Sequence, residues 1–294
     1  MIQVGELELT EVGVEAAAGL GEILKRSVGA ENVARYVEDE PLAWSVFEDG
    51  GWDLLGVPQS RDGAGASLRD LVEVAKVWGE SIVPSPLMTT ILSKRWSEAA
   101  RECGGPVTVS VRTRASGRRG VAPFGGTQGV STLAHAHVQG DVLTLANPVL
   151  DDFVPSLRLV ESDTVTSWEP KFADELRVVW AAEASGCASR MLRDAISYVK
   201  QREQFGQPIG RFQAMKHNLA NAHLLAEEAE TAVILASLVP ERAQSASTFA
   251  FDASLRVIEI AVQAHGGLGF TWEMGLHMFM RHVIALRELA EGLN

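Results

Sequence analysis

Cysteine is nearly absent from this chain: 294 residues carry only Cys103 and Cys187. Two thiols so far apart in sequence build neither a disulfide framework nor a metal-ligand cluster. Long apolar runs are missing too. No stretch approaches the roughly 18 residues of a membrane-spanning helix, and the start MIQVGELELTEVG lacks the basic residues and apolar segment of a signal peptide. The expectation is therefore a cytoplasmic protein with no membrane partner. Positive charge is in deficit, with 26 basic against 38 acidic side chains and a net charge of −12. That balance argues against a general nucleic-acid or anionic-membrane binder, because neither surface attracts it at long range. Metal signatures are absent as well. His135 and His137 alternate with apolar residues in an expected strand, and there is no HExxH or paired Cys/His spacing, so no metal is expected. The one candidate nucleotide loop, GAGAS at 63–67, fails. Leu68 takes the third glycine position of GxGxxG, and PQSRD rather than a strand precedes it.

What the chain does have is an ordinary 46% hydrophobic content and length enough for one large core or two to three small domains. Residues 11–100 read as helical, through GVEAAAGLGEILKRS, PLAWSVFEDGGW and LRDLVEVAKVWGESI. Ser67 is a good N-cap, and Asp70 stands where a capping-box acid belongs, so a helix should start there. From about 105 to 180 the pattern changes to short β-branched or alternating runs, PVTVSVR, VSTLAHAHV, DVLTLAN, LRLVESDTVTSW and ELRVVW, broken by Gly, Asn, Asp and Pro. These predict a small antiparallel sheet or barrel. Beyond 181 the periodicity is helical. Ala188, Met191, Leu192, Ala195 and Val199 form one stripe; Met215, Leu219, Ala222, Ala226, Ala229 and Val233 a second; Ala250, Ala253, Val257, Ile260, Ala261 and Ala264 a third. Ala-rich stripes suit close helix packing in an antiparallel four-helix bundle. The expected organisation is a mainly α chain with a helical domain at 1–104, a reduced β-domain at 105–180 and a helical bundle at 181–294. Cys187, among small residues, is expected to pack inside a helix, and Asp252, Arg256 and Glu259 to be solvated or paired.

Two glycine-containing corners carry the functional signal. In QREQFGQPIGRFQ, residues 201–213, one helix ends, the chain turns through two glycines and a proline, and another helix starts. Arg202 and Gln213 flank the connection. A guanidinium, amide donors and a helix N-terminus together can hold an anion. A purely local reading makes the same stretch a solvated helix end, with Gly206 as C-cap and Pro208 as stop. The second corner is QAHGGLGF, 263–270, where Gln263 precedes Gly266 and Gly267; taken alone it is a C-cap and turn.

Together with QAMKHNLANAH after the first corner, these stretches closely resemble the C-terminal helical domain of acyl-CoA dehydrogenases, FAD enzymes that desaturate acyl thioesters. WSVFEDGGWDLLGVPQSRDGAGASLRDLVEVAKVWGESIVPSPL is similar to the family's N-terminal helices. The likeness covers about 41–90 and 181–282 well and the middle poorly. It implies that Arg202, Gln204, Phe205 and Gln213 help hold the pyrophosphate and adenosine end of a neighbouring subunit's FAD, with Gln263 pointing at the dinucleotide and Gly266 and Gly267 letting backbone pass close to it. The family's EPxxGSD-like loop and Trp-containing strand, which line the flavin ring, have no counterpart here. Nor is a catalytic base evident. In many members a Tyr-Glu-Gly turn follows the Met-Arg matching Met280-Arg281, but Glu291-Gly292 lies one residue late and lacks the tyrosine. Glu183 matches a family glutamate without catalytic role, expected to pack or pair, and Leu176 stands roughly where an alternative base falls. No catalytic residue is assigned. The resemblance implies the shorter, non-catalytic subunit of a heteromeric, steroid-type acyl-CoA dehydrogenase. It would pair with a homologous full-length subunit in an α2β2 complex acting on an acyl-CoA, a steroid side-chain thioester among the options, and passing electrons to electron-transfer flavoprotein or another acceptor. Two alternatives stay open: a self-sufficient homotetramer using Glu291, or a helical scaffold without flavin.

Overall fold

The computed structural model describes residues 7–28, 37, 42–114, 116–117, 119–133, 142–143, 150–151 and 153–293. The expected strand containing His135 and His137 lies largely outside them, and so do those two histidines. The N-terminal region forms α1 (Glu11–Val28), the short α2 (Ser45–Glu48), α3 (Leu68–Gly79), α4 (Leu87–Trp96) and α5 (Glu98–Glu102). The start of α3 is the capping box read from sequence. The Ser67 side chain accepts from the Asp70 backbone N–H, and the Asp70 carboxylate accepts from the Ser67 N–H at 2.8 Å and its hydroxyl at 2.7 Å. The same carboxylate accepts from the N–H and hydroxyl of Thr10, at 2.9 and 3.0 Å. One side chain thus starts α3 and ties the approach to α1 onto it.

Among the described residues, the β region holds two three-stranded sheets built from β1 (Val107–Val109), β2 (Gly120–Ala122), β3 (Ser131–Leu133), β4 (Val142–Leu143), β5 (Leu150–Asp151) and β6 (Leu159–Ser162). The orders are β1-β3-β4 and β2-β6-β5. The small sheet expected here is present, but it is not wholly antiparallel: β1 pairs β3 in parallel, Val107 opposite Ser131. The connection between them is long enough to cross over because it carries β2, which joins the other sheet.

ELRVVW, read as a strand, is helix. α6 (Pro170–Gln201) runs 32 residues, so the helical bundle's first helix begins at 170 rather than 181. Its start is signalled locally: the Glu169 side chain caps the N–H groups of Lys171 and Phe172, with proline in the first turn. Residues 176–188 are buried without interruption. A helix covered on every side shows no stripe, and its β-branched residues then imitate a strand.

α6 packs against α3 on one side and, on the other, against α7 (Gln213–Leu238), α8 (Ala243–His265) and α9 (Leu276–Glu291). The three sequence stripes face this core; only Met215 and Ile260 are half-buried. Where α3 crosses α6, glycines meet backbone. A Cβ on Gly79 would stand 1.9 Å from the Glu183 carbonyl, and one on Gly186 2.0 Å from that of Lys76. Cys187 is buried at this crossing as expected and donates to the Gly79 carbonyl at 3.1 Å; burial pushes its thiol well above the usual range. Arg256 pairs with Glu259 and Arg287 with Asp252, so these surface charges are paired.

Candidate functional site

α6 ends at Gln201, and Arg202 leaves it in an extended conformation, its N–H still bonded to the Tyr198 carbonyl at 2.8 Å. Glu203–Gln204, strand β7, then folds back on Gln207–Pro208, strand β8. The link is the dipeptide Phe205-Gly206, with φ of 54° and 78°. Two successive positive φ values are what a two-residue type I′ hairpin turn requires. Gly206 is therefore a hairpin residue and not a helix C-cap. The Ile209 N–H donates to the Arg202 carbonyl at 2.8 Å and closes the corner, after which α7 starts at Gln213.

The side chains at this corner face outward. Arg202, Gln204, Phe205 and Gln213 are all exposed, Phe205 to 92%. Gln204 donates to the Glu203 carbonyl at 2.7 Å, and Phe205 meets Phe212 edge-on at 6.1 Å. An exposed phenylalanine at positive φ costs about 1–2 kcal/mol, and the corner retains it.

The second motif lies alongside. Tyr198 stacks on His265 with ring centroids 4.5 Å apart, so the end of α6 touches the end of α8. Gln263 is exposed in the last turn of α8. Gly266 caps that helix with φ 61° and ψ −141°, a conformation glycine alone adopts readily. Gly267 has no such need: its φ is not positive, and a Cβ there would meet nothing within 4 Å. Packing inside this chain does not call for glycine at 267. Phe270 and Trp272 project nearby, exposed to 72% and 49%.

FAD, the cofactor implied by the resemblance, suits this surface in three respects. Arg202 makes no hydrogen bond or ion pair through its side chain among the described residues, so a guanidinium is available to a diphosphate. Gly266 and Gly267 leave backbone open to close approach. Exposed aromatic rings offer flat apolar walls. The structure brings the two motifs together at one end of the bundle; it shows no direct contact of Arg202 with Gln213 or Gln263.

The carboxylates weighed as bases are engaged elsewhere. Glu291 pairs with Arg114 at 3.3 Å and lines a cleft of about 430 Å³ with Arg112, Thr166 and Trp168. The chain end presses on that region, since a Cβ on Gly292 would stand 2.3 Å from the Arg112 carbonyl. Glu183 is buried and bonded to Nε2 of His282 at 2.8 Å, while Nδ1 of His282 meets the Ser156 hydroxyl at 2.8 Å. Glu183 therefore pairs, as expected, in a chain that ties α6, α9 and the β region together. Sequence reading overlooked His282. The only signal was an ionisable residue on the apolar stripe of Phe279, Val283 and Leu286. Leu176 is a fully buried core residue. Among the described residues, no group of three or more His, Cys, Asp or Glu could hold a metal ion, and no helix is long and apolar enough to cross a membrane.

Residues 171–292 match the family model for the acyl-CoA dehydrogenase C-terminal domain. The chain is 30% identical over 265 residues to acyl-CoA dehydrogenase IpdE2 of Mycobacterium tuberculosis, covering 86% of this chain and 83% of that protein. Among solved structures, it superposes on the ChsE4-ChsE5 complex from Mycobacterium tuberculosis with a TM-score of 0.72 and 17% identity, covering 98% of this chain and 95% of the other. The Tcur3481-Tcur3483 steroid ACAD gives a TM-score of 0.69 and 21% identity, with coverage of 94% and 93%.

Proposed function

Since the chain belongs to the acyl-CoA dehydrogenase family, whose members are FAD flavoenzymes, we propose that it serves as the non-catalytic subunit of a heteromeric member. In this reading it closes over the ADP half of a partner subunit's FAD and leaves the base and the ring pocket to that partner. The observation that carries it is the outward-facing set Arg202, Gln204, Phe205, Gln213 and Gln263 beside the open glycines Gly266 and Gly267, a donor-bearing surface placed on the outside of its own fold.

Bound FAD supplies a hydride acceptor for α,β-desaturation of an acyl thioester. This chain's residues bind and orient. Arg202 would offer the diphosphate a planar pair of donors, Gln263 and Gln213 would offer amide N–H groups, and Phe205 would wall the adenosine end. The likeness to two-component structures, one of them named a steroid ACAD, supports a second subunit as partner and a bulky, steroid-type acyl-CoA substrate, for which we propose an α2β2 assembly. An electron-transfer flavoprotein or similar acceptor would take up the electrons. Expressed alone, the chain should be colourless or insoluble; with its partner it should form a yellow complex. A yellow, active homo-oligomer of this chain alone would sink the proposal. Within the complex, Arg202→Ala should lower FAD retention, and unchanged retention favours a scaffold role.

One observation favours a second reading. Glu291 faces a cleft large enough for a ring system, as a self-sufficient homotetramer would need. Glu291→Gln separates the two: activity vanishes if Glu291 is the base and barely changes if the base lies in the partner.

A further inference from the structure

Between residues 195 and 226, four basic side chains, Lys200, Arg202, Arg211 and Lys216, face a single acid, Glu203, in a chain whose net charge is −12. Three of the four surround one cleft. Lys200 and Val199 line it from the last turn of α6, four and three residues after Ile196, which lies one turn below them. Lys216 shares a face of α7 with Leu219, and Arg211 comes from the connection between the two helices. The cleft measures about 400 Å³, and no carboxylate lines it. Gly210 lets the connection close down on α6, since a Cβ there would meet the Val199 carbonyl at 3.0 Å.

The electrostatics are unfavourable as the chain stands. None of Lys200, Arg211 and Lys216 has an ion-pair partner among the described residues. α7 has no acid in its first turn and no side-chain cap; instead it has Lys216 there and Arg211 just before it. Arg211 and Lys216 oppose the dipole at that N-terminus, Lys200 sits in the last turn of α6 where its own helix favours it, and the three cations around an apolar floor repel one another. An anion seated in the cleft adds an attraction to each cation and to the α7 N-terminus, which offsets the repulsion among them. An apolar floor under a cationic rim, within the usual volume range of small-molecule sites, selects a ligand with both characters.

We propose that this cleft binds an amphipathic anion, an apolar body resting on Ile196, Val199 and Leu219 with a carboxylate or phosphate head held by Lys200, Arg211 and Lys216. The site is separate from the flavin reading, because Arg202 is not among its residues. Calorimetric titration of the co-expressed complex tests it with four probes: decanoate, decyl phosphate, decanol and inorganic phosphate. One of the two charged amphiphiles should saturate one site per chain, at least tenfold more tightly than decanol, and inorganic phosphate should give no measurable binding. Whichever head group binds more tightly identifies the natural source as carboxylate or phosphate ester. Lys200→Gln, Arg211→Gln and Lys216→Gln, all at exposed positions, should each weaken binding roughly three- to tenfold and leave flavin content unchanged, whereas Arg211→Lys should retain most of it. Decanol binding as tightly as decanoate, a triple Gln variant binding like wild type, no binding of either charged probe, or loss of flavin in step with loss of binding would each overturn the assignment.

Discussion

The crossing of α3 and α6 allows a prediction in which two opposing effects can be weighed. Gly186 sits in mid-helix, where alanine is intrinsically favoured by about 0.8–1 kcal/mol. Propensity alone therefore says that Gly186→Ala stabilises. The crossing says otherwise, because the added methyl would lie 2.0 Å from the Lys76 carbonyl, and that atom is backbone, which cannot rotate away. Restoring an ordinary contact of about 3.5 Å requires the helices to part by more than 1 Å. A gap of 0.5–1 Å already forfeits a quarter to a half of each dispersion contact across the interface, on top of the roughly 1–3 kcal/mol typical of overpacking. The clash should win by a net of about 2–4 kcal/mol, seen as a lower urea midpoint. Gly79→Ala meets the Glu183 carbonyl at the same crossing and should cost as much. The double variant should cost clearly less than the sum, because the first methyl has already opened the gap the second needs. Equal or greater stability of Gly186→Ala, or strict additivity of the pair, would refute the close-crossing argument.

Other outcomes can be checked in the same way. Asp70→Ala removes a carboxylate accepting four hydrogen bonds and should cost about 2–4 kcal/mol. Burial alone would raise the Asp70 pKa, but hydrogen bonds from Ser67 and Thr10 outweigh it and hold it below the ordinary carboxylate value. Its contribution is therefore fully present above about pH 4 and lost as pH falls through the folded-state value, so the gap between wild type and variant should close on acidification; a gap constant from pH 7 to 3 would contradict this. Lys94 and Asp53 form a buried ion pair at 2.6 Å. Lys94→Met should cost about 3–5 kcal/mol by orphaning Asp53, and a second change, Asp53→Leu, should recover most of it. Chemical denaturation of the two variants measures both. A Cβ at Gly267 meets nothing within 4 Å among the described residues beyond its chain neighbours, so the melting temperature of Gly267→Ala should match wild type while the flavin content of the purified complex falls; full flavin loading would remove Gly267 from the site.

The sequence alone determined everything carried by local spacing. The Ala-rich stripes, the Ser67–Asp70 capping box and the helix–corner–helix around Arg202 follow from helical period, cap chemistry and turn residues within a few positions of one another. The two corners proposed to carry the site were legible for the same reason, as residue types at set offsets in two short motifs. Tertiary structure decided what depends on partners distant in the chain. ELRVVW read as a strand because residues 176–188 of α6 are buried without interruption, which erases the periodicity that would have announced a helix. β1 and β3 run parallel because the strand between them was recruited to the other sheet. Glu183 could be read as a residue that packs or pairs, but its partnership with His282 and Ser156 spans 99 and 126 residues between its links. A hydrogen bond of that reach leaves no periodic trace; only the packed bundle brings its donors and acceptors together.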